Sequence, residues 1–159
     1  MITYTFERWE TLWPEMEPLM YGLHAPEVSF FQEHMQVKLD VEHHQKMDDL
    51  GYLDNLAVRD DGKLIGYCIT GKYNNPHFVG VRTAYQLHYF LQKNYRGKGI
   101  GKTMFRTAEQ HLKVQGIQCV STGAKKSLPY AAVFHKLGWT EVETLFAKCD
   151  VADRYSRIA

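Results

Sequence analysis

The sequence predicts a mixed β-sheet with helices packed on its faces, and three observations carry that prediction. An Asp60-Asp61-Gly62 turn joins two β-rich runs, which is a hairpin signal and makes the first part of the sheet antiparallel. A strand, a long amphipathic helix and a second strand then follow in succession, the pattern of a βαβ unit. Three helical stretches each run into a glycine (Gly51, Gly116 and Gly138), the residue that most readily ends a helix. The order along the chain reads βαα, a ββ hairpin, then β, α, β, α, β.

Residues 2–6 alternate as a short strand. Residues 8–23 place Trp9, Leu12, Trp13, Met16, Leu19, Met20 and Leu23 at helical spacing, with Pro14 near the expected start of the helix proper. Residues 26–31 read as irregular. Residues 32–50 read as a second helix, with Met35, Leu39 and Met47 on one stripe. The hairpin comprises residues 53–59 and 63–73, and Asn74-Asn75-Pro76 opens a loop. Residues 83–91 form a buried strand, 99–115 a helix, 117–122 a strand, 128–137 a helix, and 139–149 a final strand.

The chain has 159 residues, with 45% apolar and 23% charged side chains, enough for one domain with a real core. A formal net charge of +1 gives no field to recruit nucleic acid or an anionic membrane. Cys68, Cys119 and Cys149 lie far apart and form no CxxC pair, which argues against a disulfide framework and a cysteine-rich zinc site. The first residues lack an apolar leader, and no run reaches membrane-spanning length, so a cytoplasmic protein is expected.

The segment Arg96-Gly97-Lys98-Gly99-Ile100-Gly101-Lys102 carries the chemistry. Alternating glycines at a helix entrance let a ligand approach backbone amides that have no helical partner, at the positive end of the helix dipole. Such a place suits phosphate or pyrophosphate, and Lys98 and Lys102 add positive charge. Gly101-Lys102-Thr103 ends like a Walker loop, but Arg96 stands where the first glycine belongs, and residues 117–122 hold no acid for magnesium. Gly97-Lys98-Gly99 begins a Rossmann fingerprint, but residue 102 is Lys.

Arg96-x-x-Gly99-x-Gly101, after a strand and opening a helix, resembles the acetyl-CoA loop of the GNAT family of N-acetyltransferases. Downstream, Val133-Phe134-His135-Lys136-Leu137-Gly138-Trp139 resembles that family's Leu-Tyr-Glu-Lys-Leu-Gly-Phe segment, so the likeness covers residues 84–149. It implies a single α/β domain over residues 1–159, with a mixed sheet of six to seven strands, about four helices, and a splay between the fourth and fifth strands. Acceptor-side helices would occupy residues 8–50, and the acetyl-CoA core residues 84–149.

The resemblance implies roles residue by residue. Arg96, Gly97, Lys98, Gly99, Ile100, Gly101 and Lys102 would grip the pyrophosphate through their amides. Leu91, Gln92 and Lys93 would pair through their backbone with the pantetheine arm. Ser127 stands at the family's Asn position and either offers a hydroxyl to the cofactor or caps the next helix. Phe134 replaces the tyrosine that commonly protonates the leaving thiolate; Tyr130, one turn earlier, or solvent would substitute. On the fourth strand Gln86, His88 and Phe90 share one face by alternation, and Leu87, Tyr89 and Leu91 the other. His88 is the ordinary base there, with Tyr85 and Tyr89 as alternatives for orientation or relay.

The acceptor pocket would draw on residues 23–50, including Glu27, Phe30, Phe31, Glu33, His34, Asp40, Glu42, His43 and His44. Acid and aromatic groups there suit a cationic amine, of a small molecule or of a protein. His43 and His44 diverge on a helix, so no metal is expected. Pro76, His77 and Phe78 are expected at the acceptor entrance. The short C-terminus leaves a homodimer open, with a second chain completing the sheet.

Overall fold

The computed structural model describes residues 1–28, 36–126 and 128–147. Five strands form one sheet in the order β1-β2-β3-β4-β5. They are β1 (Ile2–Phe6), β2 (Leu53–Asp60), β3 (Lys63–Asn74), β4 (Arg82–Leu91) and β5 (Cys119–Thr122). Neighbours from β1 to β4 are antiparallel, and β4 and β5 are parallel. The hairpin turn places Asp61 at φ 47° and Gly62 at φ 84°, the two positive values that an Asp-Gly turn supplies.

Among the described residues four helical bodies cover the sheet. The first runs through α1 (Trp9–Leu19), a wider π turn (Met20–His24) and α2 (Ala25–Val28). The others are α3 (Val41–Asp49), α4 (Ile100–Val114) and α5 (Ala131–Lys136). Trp9, Leu12, Met16 and Met20 pack on one face of the sheet against Leu53, Ala57, Tyr67, Ile69 and Phe90. On the other face Met104, Phe105 and Ala108 of α4 and Phe134 of α5 cover Leu56, Val58, Ile65, Cys68 and Leu91. Each such large side chain removed from water contributes roughly 1.5–3 kcal/mol before chain entropy is counted.

Several expectations change. The sheet has five strands among the described residues, not six to seven. Residues 139–147 carry no strand, and the remainder of the expected final strand, with Cys149, lies outside the described residues. The first helix starts at Trp9 and keeps both Pro14 and Pro18 inside it. It continues through residues 26–28, which the sequence suggested were irregular. The helix expected over 32–50 begins only at Val41, because the Asp40 carboxylate accepts from the His43 amide at 2.9 Å and caps it there. Residues 32–35 lie outside the described residues, and 36–40 are not helical. The helix expected over 128–137 begins at Ala131, with Tyr130 as its N-cap.

Candidate functional site

The site is built where β4 and β5 part. Their parallel pairing runs from Thr83 opposite Cys119 to Gln86 opposite Thr122 and stops. From Leu87 to Leu91, β4 has no strand beside it on that side among the described residues. The cause lies in β4 itself. Ile69 of β3 faces His88 and Thr70 faces Gln86, so Leu87 is an additional residue in the ladder, a bulge. The bulge reverses the alternation of side chains. Ala84 packs with Leu112 of α4, whereas Phe90 packs with α1. Gln86 therefore falls on the α4 side and does not share a face with His88 and Phe90, contrary to simple alternation. The Gln86 amide and the Thr122 hydroxyl, opposite each other in the last rung, are buried without a hydrogen-bond partner among the described residues.

Register also decides which backbone groups face the wedge. The Gln92 amide donates to the Ile65 carbonyl at 2.9 Å. In an antiparallel ladder hydrogen-bonded and non-hydrogen-bonded pairs alternate. Leu91, opposite Gly66, and Tyr89, opposite Cys68, therefore turn their amides and carbonyls away from β3 and into the wedge. Both backbone groups of Gln92 have partners, since its carbonyl also accepts from the Tyr95 amide at 3.0 Å. Lys93 lies in the 3₁₀ turn Lys93–Tyr95, and its carbonyl accepts from Arg96. Tyr89, which the sequence offers for orientation or relay, is thus a second strand position whose backbone faces the wedge, and counting back by two from Leu91 finds it.

Beyond the strand the loop turns into α4. Gly97 has φ 76° and Gly99 has φ 81°, values that a side chain resists. Gly99 caps α4 without a side-chain hydrogen bond, and only at Thr103 does an amide find the Gly99 carbonyl, at 3.0 Å. The amides of Gly97, Lys98, Gly99, Ile100, Gly101 and Lys102 meet no backbone acceptor among the described residues. They form a donor nest at the positive end of a fifteen-residue helix.

The Arg96 side chain does not join this nest. Its two terminal nitrogens donate to both oxygens of Glu27 at 2.6 and 2.7 Å, and its Nε donates to the Leu91 carbonyl at 2.7 Å. The guanidinium lies 5.6 Å from the ring centres of both Phe90 and Tyr130. Hydrogen bonds from Arg96 hold the Glu27 carboxyl below its ordinary range.

Two histidines lie on the α1 side, His24 buried and His88 half-buried. His24 is turned inward by the π segment and lies 2.7 Å, Nδ1 to hydroxyl, from Tyr67. His88 faces His44 with ring centres 5.6 Å apart. His44 donates from Nδ1 to the Asp40 carbonyl at 2.7 Å, because a carbonyl can only accept. Burial lowers His24 to about 4, with Glu27 opposing the shift and Arg96 adding to it. Burial, and then the neighbouring His44 and His24, lower His88 to about 4. Both imidazoles are thus neutral at pH 7. An unfolded chain takes up protons on them below 6.5 that the fold refuses until about 4, so stability falls with pH across that window. Each contributes up to about 3 kcal/mol to that loss. Urea titrations at about pH 7 and about pH 4.5 should show a smaller loss for His24→Gln than for the wild type.

On the α4 side the Tyr89 hydroxyl donates to the Gly123 carbonyl at 2.7 Å, and burial raises its phenol. A Cβ on Gly123 would lie 3.1 Å from the Tyr85 hydroxyl. Phe134 is buried against Tyr89, Phe105 and Trp139. Tyr130 is half-buried with its ring 5.9 Å from that of Tyr89, and burial raises its phenol while Arg96 opposes the shift. Ser127, Phe30, Phe31, Glu33 and His34 lie outside the described residues. The loop with Pro76, His77 and Phe78 precedes Arg82, roughly 20 Å of strand from His88. Among the described residues no group of three or more His, Cys, Asp or Glu could hold a metal ion, and no helix is long and apolar enough to cross a membrane.

Comparison with known proteins agrees with this fold. No curated protein matches the sequence significantly. Solved structures do match over nearly their whole length. An aminoglycoside acetyltransferase from an uncultured soil metagenomic sample is 18% identical, with 93% of this chain and 95% of that chain covered and a TM-score of 0.72. A ribosomal-protein-alanine N-acetyltransferase from Brucella melitensis biovar Abortus is 15% identical, with 94% and 98% covered and a TM-score of 0.66. A predicted acetyltransferase from Clostridium acetobutylicum, solved with acetyl-CoA, is 14% identical, with 94% and 96% covered and a TM-score of 0.71. At these identities the likeness is one of fold. The model of the acetyltransferase (GNAT) family matches residues 9–139. With most of its length matched by that model, the chain belongs to the GNAT family of acetyltransferases.

Proposed function

We propose that this protein moves an acetyl group from acetyl-CoA to a primary amine by direct attack within a ternary complex. One observation carries the reading: a nest of amides from Gly97 to Lys102 without a backbone acceptor among the described residues stands beside the open edge of β4, where the Tyr89 backbone and the Leu91 amide face the wedge. The nest suits the pyrophosphate, and the open edge suits the amides of the pantetheine arm. Acetyl-CoA supplies an acyl group already activated as a thioester. Lys98 and Lys102 add charge at the nest. Ser127 is assigned to the same cofactor.

His88 is the base we assign to the acceptor. At about 4 its pKa leaves the imidazole neutral at pH 7, a weak base whose free lone pair takes the proton as the carbon–nitrogen bond forms and the amine nitrogen becomes strongly acidic. As nitrogen bonds to the acyl carbon and the carbon–sulfur bond breaks, the thiolate needs a proton. Phe134 cannot give one; Tyr130 or solvent does. The acceptor is an amine of a small molecule or of a protein. The aminoglycoside and ribosomal-protein-alanine acetyltransferases that share the fold illustrate both classes. The whole chain acts as one cytoplasmic domain, with acceptor-side helices over residues 8–50 and the cofactor core over 84–149.

The test is release of CoA thiol with a broad amine panel; a protein that neither binds acetyl-CoA nor releases CoA refutes the reading. His88→Ala should lower the rate at least ~10-fold and remove the acid limb of the pH profile; an unchanged profile removes His88 from the role. Phe134 favours a second reading, an acyl-CoA-binding module with little turnover. Phe134→Tyr should raise the rate several-fold if the absent acid limits it, and a rate left at background with binding intact would favour the module.

A further inference from the structure

Arg96 belongs to the cofactor loop by sequence, yet its side chain leaves the loop. Its carboxylate partner, Glu27, is 69 residues away on α2, at the end of the helical body that covers the α1 side of the sheet. One guanidinium therefore touches α2 through Glu27, the end of β4 through the Leu91 carbonyl, and the ring of Tyr130 that caps α5. The Leu91 carbonyl is one of the few β4 groups that faces the wedge. The guanidinium thus stands at the mouth of the slot assigned to the pantetheine arm.

A guanidinium has five N–H donors. Among the described residues three are engaged, one by Leu91 and two by Glu27, and the side chain remains 26% exposed. Two donors are left for a carbonyl arriving along the open edge. The arm's amides offer such acceptors. A hydrogen bond to an already charged and braced donor is of the stronger kind. It would also hold Arg96 more firmly against Glu27, since the fork pair has one good geometry.

We propose that Glu27 is a positioning residue that acts through Arg96, so that acyl-CoA in the wedge tightens the acceptor-side segment formed by the π turn and α2. This rests on the assignment of the wedge to acyl-CoA. The coupling has a physical basis because the ligand contacts Arg96 only in the bound state, which gives the two states different free energies for α2. The sequence places Glu27 among acids that suit a cationic amine. Its occupied oxygens make it a support for the slot instead.

Hydrogen exchange with and without CoA tests this without knowledge of the acceptor. In the wild type, CoA should slow exchange over residues 97–103 and, by about 5-fold or more, over residues 20–28. In Glu27→Gln, which keeps the volume but loses the ionic fork, CoA should still slow residues 97–103 while its effect on 20–28 disappears. Arg96→Lys should behave as Glu27→Gln does, since a point charge cannot hold both oxygens and Leu91 together. The readout is the change on adding CoA, so looser packing of α2 in the free variants does not mimic it. Slowing at 97–103 without slowing at 20–28 in the wild type overturns the proposal, as does equal slowing of both in Glu27→Gln. Faster exchange over 20–28 overturns it too. If CoA affects neither segment of the wild type, the cofactor assignment itself fails, and this proposal with it.

Discussion

Replacing Gly101 with Asp should weaken acetyl-CoA binding by at least ~100-fold, a loss of about 3 kcal/mol, while leaving the melting temperature almost unchanged. The two effects separate because of where Gly101 sits. A Cβ there would meet only the Leu91 Cδ2 at 3.8 Å, an ordinary contact, and no positive φ must be held. A carboxylate in the first turn of α4 even favours the helix through its dipole. The expected loss therefore reports the proposed ligand: in that assignment the new charge would face the pyrophosphate and remove space at the nest. Gly99→Asp should lose binding as well, but at φ 81° it also adds about 1–2 kcal/mol of backbone strain. Calorimetry with acetyl-CoA and thermal denaturation on the same samples distinguish the two. Unchanged affinity in folded Gly101→Asp would remove the loop from the cofactor site.

Gly66→Ala should damage fold and site together. Its Cβ would lie 2.6 Å from the Phe90 carbonyl oxygen and 3.2 Å from the Leu91 Cα, both backbone atoms of β4. Neither can step aside as a side chain would, so β3 and β4 must separate at the point where Leu91 faces the wedge. Overpacking of this kind costs typically 1–3 kcal/mol, which lowers the melting temperature by roughly 2–12 °C in a chain of this size. Acetyl-CoA affinity should fall with it. Gly71→Ala is the control, because its Cβ would meet only the flexible end of Leu87 at 3.3 Å. A Gly66→Ala protein as stable as Gly71→Ala, with full affinity, would contradict the account of the wedge.

How far the site was legible in the sequence follows from how local each determinant is. The Asp61-Gly62 turn and the Arg96 to Lys102 loop declare themselves because a few adjacent residues dictate their backbone. The cap that starts α3 was also present in the sequence, as Asp40 ahead of Val41 and Glu42, but a longer apolar stripe outweighed it. The bulge at Leu87 was not legible. Gln86 to Leu91 alternates cleanly on paper, and only the pairing with β3 reveals the extra residue. The π turn hid the inward rotation of His24 for a similar reason, since a helical count of 3.6 does not anticipate one wider turn. The Glu27–Arg96 fork spans 69 positions, and no pattern of neighbouring residues announces it.

The bulge has a further implication for how such a slot can be gained or lost. A bulge bends its strand and increases the twist, and here the bend comes at Leu87, one residue past the last rung shared with β5. A chain lacking Leu87 would keep every catalytic and loop residue, and the side chains on either side of the gap would keep their faces. Yet β4 could then run straight alongside the next strand, and the backbone groups of Tyr89 and Leu91 would be consumed in an ordinary ladder. Whether β4 keeps an open edge is thus a matter of chain length at one position, so deletion of a single codon is expected to change the proposed slot more than most substitutions within it.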